Sequence, residues 1–257
     1  MVARAELLGW FKELGLTVFS EQYEEIVGNG NASVEDILGT LCRMESERRY
    51  SSKVKRRIKE ANFPNIKTLA MLDYSKAPGL PKQTISKLST GDFIAQHENI
   101  LLVGDSGGGK THLAIALGIE ACKQNYSVLF FNACHLVNTL VEQYDQGKIE
   151  KYLHKLKKTQ LCIIDELGYI PFSKKGAELF FQVFSDRYES CATIVTSNLH
   201  FSRWGDIFGD KTMTTALLDR LTHHSTIVKY DWGSVRFNDT LIDQKNSQGE
   251  KSKMPES

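Results

Sequence analysis

A glycine-rich turn at residues 104–111, GDSGGGKT, constrains the fold of this chain more than any other feature. The turn follows an apolar run at 99–103, precedes a helical pattern at 110–123, and fits the spacing GxxxxGK[ST]. Glycines let backbone N–H groups turn toward phosphate oxygens, and the start of a helix adds favourable partial charge. The sequence therefore predicts a nucleotide phosphate site between a strand and a helix.

The loop residues have separate expected roles. Lys110 is expected to reach the β- and γ-phosphates, and the hydroxyl of Thr111 is expected to ligate Mg²⁺. The full set predicted to contact the nucleotide is Gly104, Asp105, Ser106, Gly107, Gly108, Gly109, Lys110, Thr111 and His112.

Two later strands end in polar residues that suit hydrolysis. The strand LCIIDE at 161–166 ends in Asp165, expected to hold Mg²⁺, and Glu166, expected to polarise the attacking water. The strand ATIVTSN at 192–198 delivers Asn198, which is suited to orient that water. Arg220, in ALLDRL, either forms a surface pair with its neighbouring aspartate or serves as an arginine finger for an adjacent subunit.

The pattern of strands and helices predicts an α/β fold. Apolar strands are expected at 99–103, 127–132, 160–165, 192–197 and 226–230, with helices at 110–123, 133–144, 147–157, 174–189 and 212–222. Near-continuous apolar strands separated by amphipathic helices indicate a parallel sheet covered on both faces.

The predicted domains follow from changes in this pattern. Helical periodicity at 5–27 and 33–61 predicts a helical N-terminal domain over 1–64, and the segment 62–90 holds three of the five prolines. We expect a linker or arm at 65–92, the nucleotide-binding domain at 93–238 and a disordered tail at 239–257.

Charge is balanced overall, at +1, but it is concentrated locally. Residues 43–59 contain eight basic and two acidic side chains. On a helix, Arg49, Lys53, Arg56 and Arg57 share one face, which predicts either a DNA phosphate contact, a solvated face or a surface for a protein partner. Lys174 and Lys175 form a second candidate DNA contact. Because no base-reading motif is visible, we expect weak sequence preference.

Several classes of protein are disfavoured. The apolar runs fall far short of the roughly 18 residues that span a bilayer, so no membrane association is expected. Five scattered cysteines without a CxxC pair predict reduced thiols and a cytoplasmic protein. The DELG at 165–168 fits the DxxG of GTPases, but no NKxD follows, so a GTPase is disfavoured. A helicase is disfavoured because helicases usually need two motor domains. A small-molecule kinase is disfavoured because such a kinase needs a lid.

The segments GDSGGGKTHLA, LCIIDELGYIPFSKKGAELFFQVFSDRYE, TIVTSNLHFSRWGDIFGD and ALLDRLTHHSTIV resemble those of the IstB-like AAA+ ATPases, relatives of the DnaC-type helicase loaders. The resemblance covers residues 6–237 and includes an extra helix at 147–157. It implies ATP as the nucleotide, an AAA+ core with strand order 5-1-4-3-2, and the roles of Walker B for Asp165 and Glu166, sensor 1 for Asn198 and arginine finger for Arg220. It also implies a homo-oligomer that forms with ATP on double-stranded DNA and recruits and stimulates a transposase.

The chain departs from this pattern at the loop. Relatives more often have a proline at the position of Asp105 and a bulkier residue at the position of Gly108. Arg236 stands near the end, with too little chain after it for the usual helical lid. Two alternatives to the transposition role stay open: a loader of a replicative helicase, and a scaffold that binds ATP without using its hydrolysis.

Overall fold

A computed structural model describes residues 3–28, 32–74 and 79–231. Within these ranges the chain divides into two compact units, and the boundary falls between Arg56 and Arg57. Among the helices of the described residues, none has both the length and the hydrophobicity of a membrane-spanning segment. The predicted tail at 239–257 and Arg236 lie outside the described residues.

The first unit is helical, as the periodicity predicts. It contains α1 (Arg4–Glu13), α2 (Thr17–Gly28) and most of α3 (Val34–Glu60), which continues into the second unit. The helical pattern at 5–27 is divided in two because Gly15 has a φ of +67°, which ends the first helix. Val18, Phe19 and Leu41 form the small core of this unit.

The second unit contains the sheet and its covering helices. The elements in chain order are α4 (Lys82–Ser89), α5 (Asp92–Ala95), β1 (Asn99–Gly104), α6 (Lys110–Lys123), β2 (Val128–Asn132), α7 (Ala133–Asp145), α8 (Ile149–Lys158), β3 (Leu161–Leu167), α9 (Lys174–Arg187), β4 (Ala192–Ser197), α10 (Gly205–Phe208), α11 (Lys211–Thr222) and β5 (Ser225–Tyr230).

The five strands are parallel and lie in the order β2-β3-β4-β1-β5, which confirms the expected order 5-1-4-3-2. Two apolar layers cover the sheet, one centred on α6 and the other on α7, α9 and α11. Strands β1, β3 and β4 are buried on both faces, which explains their near-continuous apolar sequences. The carboxyl ends of these strands meet at one edge of the sheet, where the loop 104–111, Asp165, Glu166 and Asn198 lie.

The segment 65–92 differs from the predicted linker. It holds a 3₁₀ turn (Leu69–Met71) and α4, and Leu80, Ile85 and Leu88 are buried in the core layer that contains α6. Prolines separate its short apolar stretches without preventing their burial. This segment therefore belongs to the second unit, and the unit boundary lies inside α3 rather than after residue 64.

Candidate nucleotide-binding site

The glycine-rich loop joins β1 to α6, and its backbone needs glycine. Gly104, Gly107 and Gly109 have φ values of +146°, +85° and +96°, a region that other residues rarely adopt. A Cβ on Gly104 would lie 2.0 Å from the carbonyl oxygen of Tyr230, at the end of β5. The neighbouring strand thus requires glycine where the loop begins.

Lys110 begins α6 and lies inside the loop. Its Nζ donates hydrogen bonds to the carbonyl oxygens of Gly104 and Asp105, each at 2.6 Å, and the side chain is only 8% exposed. The ring centroid of Tyr230 is 5.9 Å from Nζ. The carbonyl oxygens of the loop therefore hold the ammonium group at the start of α6.

Asp165 connects the loop helix to the neighbouring strands. Its Oδ1 accepts a 2.9 Å hydrogen bond from the Thr111 hydroxyl and a 2.6 Å hydrogen bond from the Thr196 hydroxyl. The residue is 5% exposed. A buried carboxylate beside a hydroxyl is a set of oxygen donors that fits Mg²⁺. Thr196 was not predicted, although a polar residue in the buried strand ATIVTSN is a visible signal.

Glu166 has an unusual backbone at the end of the same strand. Its φ is +60°, and the pairing of β3 with β4 shifts register between Ile164 and Leu167. Because of this irregularity, the Glu166 side chain departs from the regular alternation of side chains between the two faces of the sheet. The backbone N–H of Glu166 donates to the Thr196 hydroxyl at 2.9 Å. Consecutive acidic residues therefore both reach the carboxyl edge of the sheet.

Asn132 holds the side chain of Glu166. The Nδ2 of Asn132 donates to Glu166 Oε2 at 2.9 Å, while its Oδ1 caps the start of α7 by accepting from the backbone of Cys134 and His135. Sequence reasoning missed this residue. The available signal is a polar side chain directly after the apolar end of β2, at the edge where polar strand ends collect.

Asn198 follows β4 and lines the same cavity as Glu166. Its Oδ1 is buried and has no hydrogen-bond partner among the described residues. Buried polar oxygens without a partner are uncommon in native proteins, and they occur where a ligand or water belongs. The position and chemistry of Asn198 thus match those expected of a residue that orients water.

A cavity of about 590 Å³ lies over this edge of the sheet, within the size range of ligand sites. The predicted residues Glu166, Asn198 and 106–112 line it, as do Thr196, Tyr169 and Tyr230. A further wall comes from the segment before α4: Asn65, Lys67, Met71, Leu72, Asp73 and Leu80. His112 Nε2 lies 3.0 Å from the Thr68 carbonyl oxygen, which ties this wall to α6.

Arg220 is not part of this cluster. It lies in the last turn of α11, where the carbonyl oxygen of the next residue, Leu221, accepts a 3.2 Å hydrogen bond from Asn99. Asn99 begins β1, whereas the glycine-rich loop follows the end of that strand. Six strand residues span about 20 Å. Arg220 and Lys110 therefore lie at opposite edges of the sheet.

The surroundings of Arg220 leave its charge unpaired among the described residues. Its Nη1 donates to the carbonyl oxygen of Ala216 at 2.9 Å, and its guanidinium carbon lies 5.0 Å from the ring centroid of Phe181. No described carboxylate is within ion-pair distance of it. The alternative of a surface pair with Asp219 is therefore not what the structure shows.

The predicted cationic stripe on α3 is not uniform. Arg49 donates to Glu45 Oε1 at 2.7 Å and to the carbonyl oxygen of Gly15 at 3.2 Å, so it supports the fold of the first unit. A hydrogen bond from Arg48 is the largest influence that lowers the pKa of the buried Glu45, to about 2. Lys53 and Arg56 are exposed, and Arg57, in the second unit, reaches the Asn125 side chain at 3.5 Å.

Lys174 is exposed at the start of α9, and Nζ of Lys175 lies 3.6 Å from the ring centroid of Tyr144. Sequence reasoning missed α8 as a candidate DNA contact. Its sequence KYLHKLKK contains more basic residues than the pair Lys174 and Lys175. Its apolar face is buried, and its exposed basic residues are Lys151, His154, Lys155, Lys157 and Lys158. None of these five pairs with a carboxylate in the described part of the chain.

The strand order, the glycine-rich loop after β1 and the polar ends of β3 and β4 define an ATP-binding protein of the AAA+ class. Within that class, the chain belongs to the IstB-like ATP binding protein family, whose sequence profile matches residues 10–242.

Individual proteins agree with this assignment. A protein of Pseudomonas aeruginosa, named for insertion sequence IS21 and for ATP binding, is 35% identical over 91% of this chain and 88% of its own length. Among solved structures, AMPPCP-bound DnaA of Aquifex aeolicus matches with a TM-score of 0.56, 21% identity and coverage of 72% of this chain and 56% of that one. The DnaC helicase loader matches with a TM-score of 0.51, 19% identity and coverage of 71% and 99%. These structural likenesses establish the fold.

Proposed function

We propose that the protein hydrolyses ATP and uses its nucleotide state to control assembly on double-stranded DNA, in support of an insertion-sequence transposase. Two features support this proposal: the phosphate site at the carboxyl edge of the sheet, and Arg220 at the amino edge. The insertion-sequence name of the Pseudomonas aeruginosa relative supports the transposition context.

The site residues divide the work of hydrolysis. Lys110 and the loop N–H groups bind phosphate, and Thr111 and Asp165 would hold Mg²⁺, which would supply positive charge that neutralises the phosphates. Glu166 polarises a water molecule and Asn198 orients it with the amide oxygen that lacks a protein partner. The cavity wall at 65–73 packs beside the loop and supplies apolar contacts for the base.

The position of Arg220 is the observation that carries the proposal. An arginine at the amino edge cannot reach the phosphates bound at the carboxyl edge of its own sheet. It can reach those of a second copy, where an arginine finger stabilises the charge of the transferring phosphoryl group. ATP would then complete a site shared by two subunits, and hydrolysis would release the contact.

Light scattering with duplex DNA tests this switch. We expect a larger assembly with a non-hydrolysable ATP analogue than with ADP, and its loss in Arg220→Ala at unchanged analogue affinity. Arg203→Ala, which removes an exposed arginine paired with Asp206, is the matched control. A monomer in every nucleotide state, or full assembly by Arg220→Ala, would contradict the proposal.

The basic residues of the two units supply the proposed DNA contacts. In the second unit, Lys151, Lys155 and Lys158 are spaced i, i+4 and i+7 on α8, a single exposed row that suits phosphates. Changing these three to glutamine is expected to reduce the salt slope of DNA binding by about three. Lys82, Lys87 and Lys211 changed together to glutamine make a control of equal charge, and an equal effect there would exclude a local contact.

The same measurement applies to the residues predicted from sequence. Lys53, Arg56, Arg57 and Lys174 are proposed phosphate contacts, and of these Arg57 also reaches the Asn125 side chain. Arg49 is paired with Glu45, and Nζ of Lys175 lies over the ring of Tyr144. We therefore expect Lys53→Gln to weaken DNA binding without loss of stability, and Arg49→Gln to lower the stability of the first unit as well.

Partner capture separates transposition from helicase loading. We expect the protein to retain an insertion-sequence transposase, in an ATP-dependent manner, and not the replicative helicase. Glu166→Gln tests the scaffold alternative. If this variant assembles and disassembles like the unchanged protein, hydrolysis has no part in the cycle.

A further inference from the structure

We propose that Glu189, His223 and His224 form a binding site for a divalent transition-metal ion, with Zn²⁺ as the expected ion. Each residue offers one ligand atom, and the three atoms lie within 4.8 Å of one another. The cluster is remote from the nucleotide cavity, because it belongs to the amino edge of the sheet.

Two turns bring the three side chains together. Glu189 lies in the turn between α9 and β4, while His223 and His224 lie between α11 and β5. The backbone N–H of Asn99 donates to the carbonyl oxygen of His224 at 2.8 Å, so the histidine turn is fixed to the start of β1. The ligands therefore come from two segments, both anchored by the sheet.

The donor set suits Zn²⁺ and related ions. Zn²⁺ binds imidazole nitrogen and carboxylate oxygen at about 2.0–2.2 Å, which in a tetrahedral site places the donors roughly 3.3 Å apart. All three side chains are exposed, so rotation about their side-chain bonds can close the remaining distance. Two histidines and one carboxylate leave a fourth position for water or another ligand.

Tyr188 orients one of the histidines. Its hydroxyl lies 3.0 Å from His223 Nδ1, so this ring nitrogen is engaged and Nε2 is available to a metal. Metal-binding histidines commonly have such a hydrogen-bond partner on the second nitrogen. The rings of His223 and His224 also pack edge to face, with centroids 4.2 Å apart, which holds the two imidazoles side by side.

Metal binding would join the end of α11 to the turn after α9. Arg220 precedes His223 by three residues, so an ion here would fix the helix end that carries the proposed arginine finger. This consequence rests on the proposed function, whereas the metal site itself does not.

Calorimetric titration of Zn²⁺ into chelator-treated full-length protein tests the site, without nucleotide or DNA. We expect one ion per chain, and affinity lower by at least about 100-fold in Glu189→Gln and in His224→Gln, since loss of a hydrogen-bond partner of a ligand already costs about 10- to 100-fold. His154→Gln, at an exposed histidine of α8, should bind as tightly as the unchanged protein. A failure of ATP-dependent assembly leaves this result unaffected, so the two proposals fail separately.

The absorption spectrum of bound Co²⁺ and the melting temperature of the protein give a second test of the metal site. Tetrahedral coordination by nitrogen and oxygen predicts visible absorption bands for the Co²⁺-loaded protein, and binding to the folded state predicts a higher melting temperature with Zn²⁺. Both should vanish in the double variant Glu189→Gln, His224→Gln while its circular dichroism stays unchanged. Zn²⁺ binding of equal affinity in that folded double variant, or no binding by the unchanged protein, would overturn the proposal.

Discussion

The two edges of the sheet in the second unit contain similar charged residues but organise them differently. At the carboxyl edge, the charged groups of Lys110, Asp165 and Glu166 have hydrogen-bond partners around one cavity. At the amino edge, two arginines have contrasting surroundings. Arg187 is buried among backbone acceptors, whereas Arg220 is half-buried and has no described carboxylate partner.

This contrast is the basis for assigning a ligand site to one edge and the proposed subunit contact to the other. Asp165 is held by two hydroxyls before any ligand arrives, so the carboxyl edge is organised by the chain itself. Among the described residues, the Arg220 guanidinium contacts a carbonyl of its own helix and an aromatic ring. We expect a charge in such surroundings to interact with another molecule. In the proposed site, the carboxyl edge therefore comes from one copy and the amino edge from a second copy.

The largest expected effect comes from Lys110→Ala. Removing the ammonium group from the loop should abolish measurable ATP binding and with it assembly on DNA, because Lys110 is the one lysine of the loop 104–111. Fluorescent-nucleotide titration measures the loss. Lys123→Ala, at the other end of α6 and paired with Glu120, should bind ATP normally. Unchanged affinity in Lys110→Ala would show that the carboxyl edge does not hold phosphate.

Arg220→Ala tests the other edge. We expect ATP affinity to stay within about twofold while turnover falls about 10³-fold, the lower range for loss of an arginine finger. Steady-state turnover of a mixture with Glu166→Gln then separates action within a subunit from action between subunits. Recovery in the mixture supports a shared site, whereas a loss of ATP affinity in the single variant would break the division between the edges.

The parts of the site that local rules decide could be predicted from sequence. Helix α6 spans the predicted 110–123, and Lys110, Asp165, Glu166 and Asn198 lie at the carboxyl edge because strand ends in a parallel sheet must meet there. The wall at 65–73 was not predictable, since its burial depends on packing against α6 across a proline-rich sequence. The hydrogen bond from Asn132 to Glu166 likewise requires the pairing of β2 with β3.

Arg187 illustrates a further limit of sequence reasoning. Near the end of an amphipathic helix, it has the pattern of a surface cation, yet it is 2% exposed and donates to the carbonyl oxygens of Leu156, Thr159 and Ala192. Two of these acceptors lie at the end of α8, and the third is the first residue of β4. Their convergence is a tertiary property that no local spacing reveals.

Arg187→Ala should therefore destabilise the protein, in contrast to Arg220→Ala. Loss of the guanidinium leaves buried carbonyl oxygens unsatisfied and opens a cavity, and we expect about 3–5 kcal/mol less stability. Urea unfolding measures the change. Arg220→Ala should lose less than about 1 kcal/mol in the same experiment. Equal losses would mean that both arginines are structural, and the amino edge would then have no group reserved for a partner.

The smallest effect is expected from Asn132→Ser, which acts within the carboxyl edge. Serine preserves a capping oxygen for α7, so the helix stays stable, but it removes the amide N–H that holds Glu166 Oε2 at 2.9 Å. A released carboxylate turns more readily toward the cavity, and basal turnover without DNA should rise about two- to fivefold at unchanged ATP affinity. Asn138→Ser, on the exposed side of α7, is the control. A fall in turnover would instead mean that Asn132 positions Glu166 for the attacking water, and the carboxyl edge would be organised for hydrolysis before its partner arrives.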